Sequence, residues 1–144
     1  MKFSSRKHAS NFNELIKEDN THPKDRERQA LFYIVAGNDD LYKKRNAIYD
    51  FRENSIEPEC LTNGKIDFST SSKALIRLGF NLYNGYNDNA ISPIDIFYSL
   101  DKENYNLAMC AVDLRFGKDI VRMEYDSEFK HEEELENDED ELEL

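Results

Sequence analysis

The chain has 144 residues, 34% of them charged and 12% aromatic, with 30 acids against 19 Lys and Arg for a net charge of −11. That length fits one domain and can bury a core without the disulfides or metals that chains below about 40 residues usually need. The longest apolar run, the eight residues Ala30 to Gly37, falls short of the roughly 20 that span a bilayer. The basic start Met1 to Ser10 is followed by no apolar stretch, which is not the pattern of a secretory signal.

A first helix is predicted over Ser5 to Asp19, where Ala9, Phe12, Leu15 and Ile16 form a narrow apolar stripe. Asn20-Thr21-His22-Pro23 breaks it, and Thr21 or His22 is expected to cap a second helix from Pro23 to Ala36. The second half of that helix, Ala30 to Ala36, is apolar nearly all round, as a buried helix is. A buried strand competes for so β-rich a run, but the length of the pattern and the Gly37-Asn38 stop favour helix. Asn38 or Asp39 caps a third helix, from Asp40 to about Phe51.

Residues 52–68 read as a loop, broken by Pro58 and Asn63-Gly64, with a short extended piece at Lys65 to Phe68. The Ser69–Ser72 cluster caps a fourth helix reaching Asn84. Leu75, Ile76, Leu78, Phe80, Leu82 and Tyr83 surround most of its axis, so it is predicted to be the central helix. Gly79 there admits a close neighbour, at a cost of about 1 kcal/mol relative to Ala. Ser92-Pro93-Ile94-Asp95 reads as the start of a short helix, Pro93 to Leu100. Asp101 caps a last helix, Lys102 to Phe116, with Leu107, Ala108, Cys110, Ala111 and Leu114 as its inner face and Gly117 as its stop.

The pattern as a whole predicts an all-α fold, a compact bundle of five to six helices over residues 1–117. Val121, Met123 and Tyr125 alternate with charges, which predicts a short strand or extended strip over 118–130, packed on the body. Residues 131–144 are predicted to be a disordered acidic tail.

Charge is concentrated at that end. Lys118 to Leu144 holds 13 acids and three bases, whereas residues 1–117 hold 17 acids and 16 bases. Like-charge blocks stay solvated and often serve as interaction tails. Such a field repels phosphates and attracts basic surfaces. It therefore points to a protein partner with a basic surface, away from direct nucleic-acid binding and away from membranes.

Cys60 and Cys110 are far apart and belong to no CxxC pair, which predicts reduced thiols and a cytoplasmic location. His8, His22 and His131 share no metal spacing with each other or with the cysteines. Asp39 and Asp40 are too few oxygens for calcium. With no phosphate loop, HExxH or GxSxG, no metal, cofactor or catalytic residue is assigned.

Arg77, Asn81 and Asn84, spaced by four and three, form a polar stripe on the fourth helix. An Arg and two amides suit an anion or carbonyl pocket, as in a small-ligand-binding or hydrolytic domain, although a core helix also needs a solvent edge. The mixed-charge run Asp25 to Arg28 suits ion pairs to other helices. Lys2, Arg6 and Lys7, with Lys43, Lys44 and Arg45, are the basic groups that would touch phosphates in a nucleic-acid-binding reading. Val121, Met123, Tyr125 and Phe129, with Glu132, Glu133 and Glu134, are the candidate interaction residues: apolar anchors followed by acids.

The runs Glu18-Asp19-Asn20-Thr21-His22, Asp25-Arg26-Glu27-Arg28, Ala30-Leu31-Phe32-Tyr33-Ile34, Ala36-Gly37-Asn38-Asp39-Asp40-Leu41-Tyr42, Ala74-Leu75-Ile76-Arg77-Leu78 and Phe80-Asn81-Leu82-Tyr83-Asn84-Gly85 give Asn13 to Phe116 its family character. Through them the chain resembles a family of small uncharacterised proteins from Firmicutes and their mobile elements. The resemblance implies no activity, cofactor or catalytic residue, and it leaves the tail out. The charge partition by itself suggests an interaction protein and, if the source is a phage or mobile element, an inhibitor of a basic, nucleic-acid-binding host protein.

Overall fold

The computed structural model describes residues 1–118. Among the described residues seven helices build one core: α1 (Arg6–Asp19), α2 (Arg26–Gly37), α3 (Asp39–Lys43), α4 (Arg45–Ile48), α5 (Thr70–Asn84), α6 (Pro93–Phe97) and α7 (Lys102–Phe116). Between α4 and α5 lie a small antiparallel hairpin, β1 (Tyr49–Asp50) and β2 (Ser55–Ile56), and a 3-10 turn, Pro58–Leu61. The hairpin pairs Tyr49 with Ile56 and Asp50 with Ser55. No helix among the described residues is long and apolar enough to cross a membrane. The predicted strip over 118–130 and the tail over 131–144 fall outside the described residues apart from Lys118.

The central helix is α2, which corrects the expectation that α5 would be. It packs against α1, α5 and α7. Every residue from Ala30 to Ala36 is buried, because a segment apolar on all sides needs neighbours on all sides. α5 keeps one polar side and so lies against α2 on the other. Gly79 makes the approach possible, since a Cβ there would sit 3.0 Å from Leu31 Cδ1.

The start and end of α2 also differ from expectation. Its cap is Asp25, which accepts from the Arg28 amide at 2.9 Å, and not Thr21 or His22. A turn over 22–25, closed by the Asp25 amide on the His22 carbonyl (2.9 Å), holds Pro23 outside the helix. At the other end Gly37 is no left-handed stop. It is the last helical residue, and Asn38 both ends α2 and caps α3 by accepting from the Leu41 amide at 3.0 Å. Gly37 serves packing instead, because a Cβ there would lie 2.4 Å from Leu107 Cδ1 and 2.9 Å from His8 Nε2.

The third predicted helix breaks at Lys44 into α3 and α4, and the chain becomes extended at Tyr49. Tyr49 and Phe51 join Phe32 in a ring cluster with centroids 4.9–6.0 Å apart, which draws this β-prone end out of the helix. The Asp50 carboxylate accepts from the amides of Arg52 (2.9 Å) and Glu53 (3.1 Å), and Asn54 takes a left-handed φ of 55° to close the hairpin. In the predicted loop, Cys60, Leu61 and Phe68 are buried, and no strand forms at Lys65 to Phe68.

The later elements follow their signals. Ser69 caps α5 through the Ser72 amide (3.1 Å), Ser92 caps α6 through the Asp95 amide (3.3 Å), and Asp101 caps α7 through the Asn104 amide (2.8 Å). Gly85 and Gly117 end α5 and α7 at φ of 82° and 74°. Helix α6 ends at Phe97 rather than Leu100. Cys110, expected in the core, is half-buried, while Leu107, Ala108, Ala111 and Leu114 are buried.

Candidate functional site

The predicted polar face holds down the loop that follows it. Arg77 Nε donates to Asp88 at 2.8 Å, Asn81 Nδ2 donates to the Tyr86 carbonyl at 2.9 Å, and Asn84 Oδ1 accepts from the Tyr86 amide at 3.1 Å. The Arg77 guanidinium and the amide of Ala90 hold the Asp88 carboxyl below its ordinary range against the opposing effect of burial. All three side chains thus work on residues 85–90.

The densest buried polar cluster lies where α1 ends, α2 begins and the hairpin turns. The Asp19 side chain is 2% exposed. Its carboxylate accepts from Tyr49 Oη (2.5 Å), Thr21 Oγ1 (2.5 Å) and Asn54 Nδ2 (2.7 Å). Arg28 lies behind Tyr49. Its Nε donates to Tyr49 Oη at 2.9 Å, and its other nitrogens donate to Asp25 at 2.9 Å and the Asn54 carbonyl at 2.8 Å. The guanidinium also lies 5.2 Å from the centre of the Tyr83 ring on α5.

Burial works against the Arg28 charge, but Tyr49 and Asp25 hold its pKa above the ordinary value. Burial and then Asp19 push the Tyr49 phenol well up, so the hydroxyl stays protonated, donating to Asp19 and accepting from Arg28. The cluster is a clasp joining α1, α2 and the hairpin. The sequence offered Asp25 and Arg28 as ion-pairing residues but gave no signal for Asp19, Tyr49 and Asn54, since their meeting depends on the unforeseen hairpin.

A second cluster fixes the N-terminus. His8, 2% exposed, places Nε2 2.9 Å from the Tyr33 carbonyl and Nδ1 3.1 Å from the Ser4 amide. Its ring lies edge-on to Phe3 (5.1 Å) and Tyr33 (4.5 Å), and Tyr33 Oη donates to the Lys2 carbonyl at 2.5 Å. Burial pushes the imidazole pKa down, although the Tyr33 contact opposes this. The neutral tautomer with Nε2–H donating and Nδ1 accepting satisfies both contacts.

Several predicted basic groups face acids. Lys7 pairs with Asp39 at 3.0 Å and Lys44 with Asp40 at 2.6 Å, while Arg45 donates to the Tyr42 carbonyl and stacks on that ring at 4.3 Å. Both cysteines are free thiols. No group of three or more His, Cys, Asp or Glu suited to a metal occurs among the described residues. Val121, Met123, Tyr125, Phe129, Glu132, Glu133 and Glu134 lie outside the described residues.

One surface feature was not foreseen. Ile94, Tyr98 and Tyr105 are 69%, 85% and 45% exposed. Phe97 packs edge-on against Tyr105 at 5.6 Å, so α6 and the first turns of α7 form one corner of the molecule. Their sequence signal was helical, and nothing in it separated core from surface on so short a helix.

Fold and site together define a helical domain whose buried polar groups join its own segments. Over residues 1–128 the chain matches, and belongs to, the Family of unknown function (DUF6075). The match extends at both ends beyond the predicted span Asn13 to Phe116. It takes in Val121, Met123 and Tyr125, and leaves Phe129 and the acids from Glu132 onward beyond it. No curated protein and no solved structure matches the chain.

Proposed function

We propose that this chain is a cytoplasmic protein-interaction module whose partner carries a basic surface. The observation that carries the reading is the charge partition: −10 lies in residues 118–144, against −1 in residues 1–117. The acids steer the encounter, and Val121, Met123, Tyr125 and Phe129 anchor it. A basic groove that holds nucleic acid would attract the same acids, so the chain would act there as a competitor of phosphates. In a phage or mobile-element setting that makes it an inhibitor of a host nucleic-acid-binding protein.

Two rival readings have less support. The donors of Arg77 and Asn81 serve the 85–90 loop, so a ligand at that face would have to displace internal bonds. Lys7 and Lys44 face Asp39 and Asp40, which weakens a phosphate site there.

The test compares the full chain with the variant Glu132→Gln, Glu133→Gln, Glu134→Gln as bait for the basic nucleic-acid-binding proteins of a bacterial lysate. The expected result is capture by the first, release by added salt, and a clear loss in the variant. Equal capture by both would reject the reading.

A further inference from the structure

The exposed corner formed by α6 and the start of α7 has three features of an anchor site. First, its apolar side chains are large and grouped: Ile94 and Tyr98 lie four residues apart on one face of α6 and its cap, and Phe97 joins them to Tyr105. Tyr98 is 85% exposed, and Tyr is enriched at the centres of interfaces. Second, the rim is mostly acidic. Asp95, Asp101 and Glu103 are all exposed, and Lys102 is the single cation between Gly85 and Asn106. Third, two of these acids belong to helix caps: Asp95 accepts from Ser92 Oγ at 2.6 Å, and Asp101 caps α7. The rim is thereby held in place beside the apolar centre.

An apolar centre with an acidic rim complements a segment that carries apolar side chains among Lys and Arg. We propose that the Ile94–Tyr98–Tyr105 corner is a docking site on the body for a basic amphipathic segment of a partner protein. This rests on the reading that the partner is basic and extends it: acids after Lys118 attract the partner, and the corner selects for apolar residues within its basic surface. The corner accounts for specificity, which an acidic tail alone supplies poorly, because screened charge does not distinguish one basic protein from another.

Two labelled peptides test this against the full chain, by fluorescence anisotropy. One is an amphipathic peptide of Leu and Lys at helical spacing. The other keeps the Lys residues and replaces each Leu by Gln. The double variant Ile94→Ser, Tyr98→Ser removes the centre of the corner at positions too exposed to threaten folding, and Phe116→Ser, at a 61% exposed residue of the opposite end of α7, is the control. The expected result is tighter binding of the Leu peptide, lost by roughly tenfold in the double variant as for a central interface residue, with Phe116→Ser unchanged.

Equal Leu-peptide binding by the full chain and the double variant would overturn the proposal. So would self-association of the full chain that the double variant abolishes, since a second copy would then be the occupant. The underlying reading fails separately. If neither peptide responds to salt or to Glu132→Gln, Glu133→Gln, Glu134→Gln, the acids do not steer, whatever the corner does.

Discussion

Replacing Tyr49 by Phe removes one oxygen from the clasp and leaves the ring in place against Phe32 and Phe51, 5.0 and 4.9 Å away. The lost hydroxyl donates to Asp19 and accepts from Arg28 Nε. A bond to a charged group contributes about 1.5–3 kcal/mol, and the Asp19 carboxylate has almost no water to replace it. The Arg28 side chain is 26% exposed, so water recovers much of its loss and that end adds no more than about 0.5 kcal/mol. Asp19 keeps Thr21 and Asn54, and Arg28 keeps Asp25, which rules out the larger cost of a charge stripped bare. The expected loss is about 2–3 kcal/mol. Urea unfolding followed by circular dichroism measures it, as a fall of about 1–1.5 M in midpoint at a slope of about 2 kcal/mol/M. Tyr105→Phe, on the exposed corner, should stay within about 0.5 kcal/mol. A Tyr49→Phe cost below about 0.5 kcal/mol would refute the clasp as a stabilising network.

Stability should fall as the pH drops below about 6.5, the ordinary histidine value. His8 has a lowered pKa in the fold, so between the folded and unfolded values the unfolded chain binds more protons and acid favours unfolding, by at most about 1.4 kcal/mol per pH unit. Urea midpoints from pH 7 to 5 should therefore decline in the native chain and decline less in His8→Gln; parallel slopes would remove His8 as the cause. Gly37→Ala should destabilise by about 1–3 kcal/mol through overpacking, even though Ala is the better helix former by about 1 kcal/mol. Its added Cβ meets Leu107 and His8, and an unchanged or raised melting temperature would show that these neighbours give way. A maleimide should label half-buried Cys110 first. Cys60 is buried and its thiol is pushed up to about 12 by burial and by Glu59 and Glu57, so it should react only on unfolding; mass mapping of the early adduct decides.

The sequence carried the helices wherever a local signal acted alone. Serine and aspartate caps placed the starts of α5, α6 and α7, and glycine closed α5 and α7. Predictions failed where a distant partner decided. The residues around Tyr49 look helical in isolation, but the ring contacts to Phe32, 17 positions away in the chain, pull them into a hairpin. Gly37 looks like a helix stop until Leu107 and His8 arrive beside it. The residues of the Arg77–Asn81–Asn84 stripe all lie on α5, yet their partners, Tyr86 and Asp88, belong to a loop whose path no periodicity describes. The candidate interaction residues from Val121 onward were legible only as composition.

The polar groups of the body divide by what they touch, and this division bears on function. Asp19, Tyr49, Arg28 and Asn54 meet one another; His8 meets the Tyr33 carbonyl and Ser4; Arg77 and Asn81 meet the loop. A site that binds or transforms a small molecule needs convergent polar groups aimed at a ligand, and each of these clusters is aimed at its own chain. The large side chains left to solvent on α6 and α7 are apolar, and the exposed charges beside them are mostly acids. An apolar centre with a mostly acidic rim is suited to a macromolecular surface, where contact area and charge match matter more than a converging donor set. The −10 carried by residues 118–144 has the same sign as that rim. If residues 118–144 and the corner act on the same basic partner, as proposed above, removing either one alone should weaken binding without abolishing it.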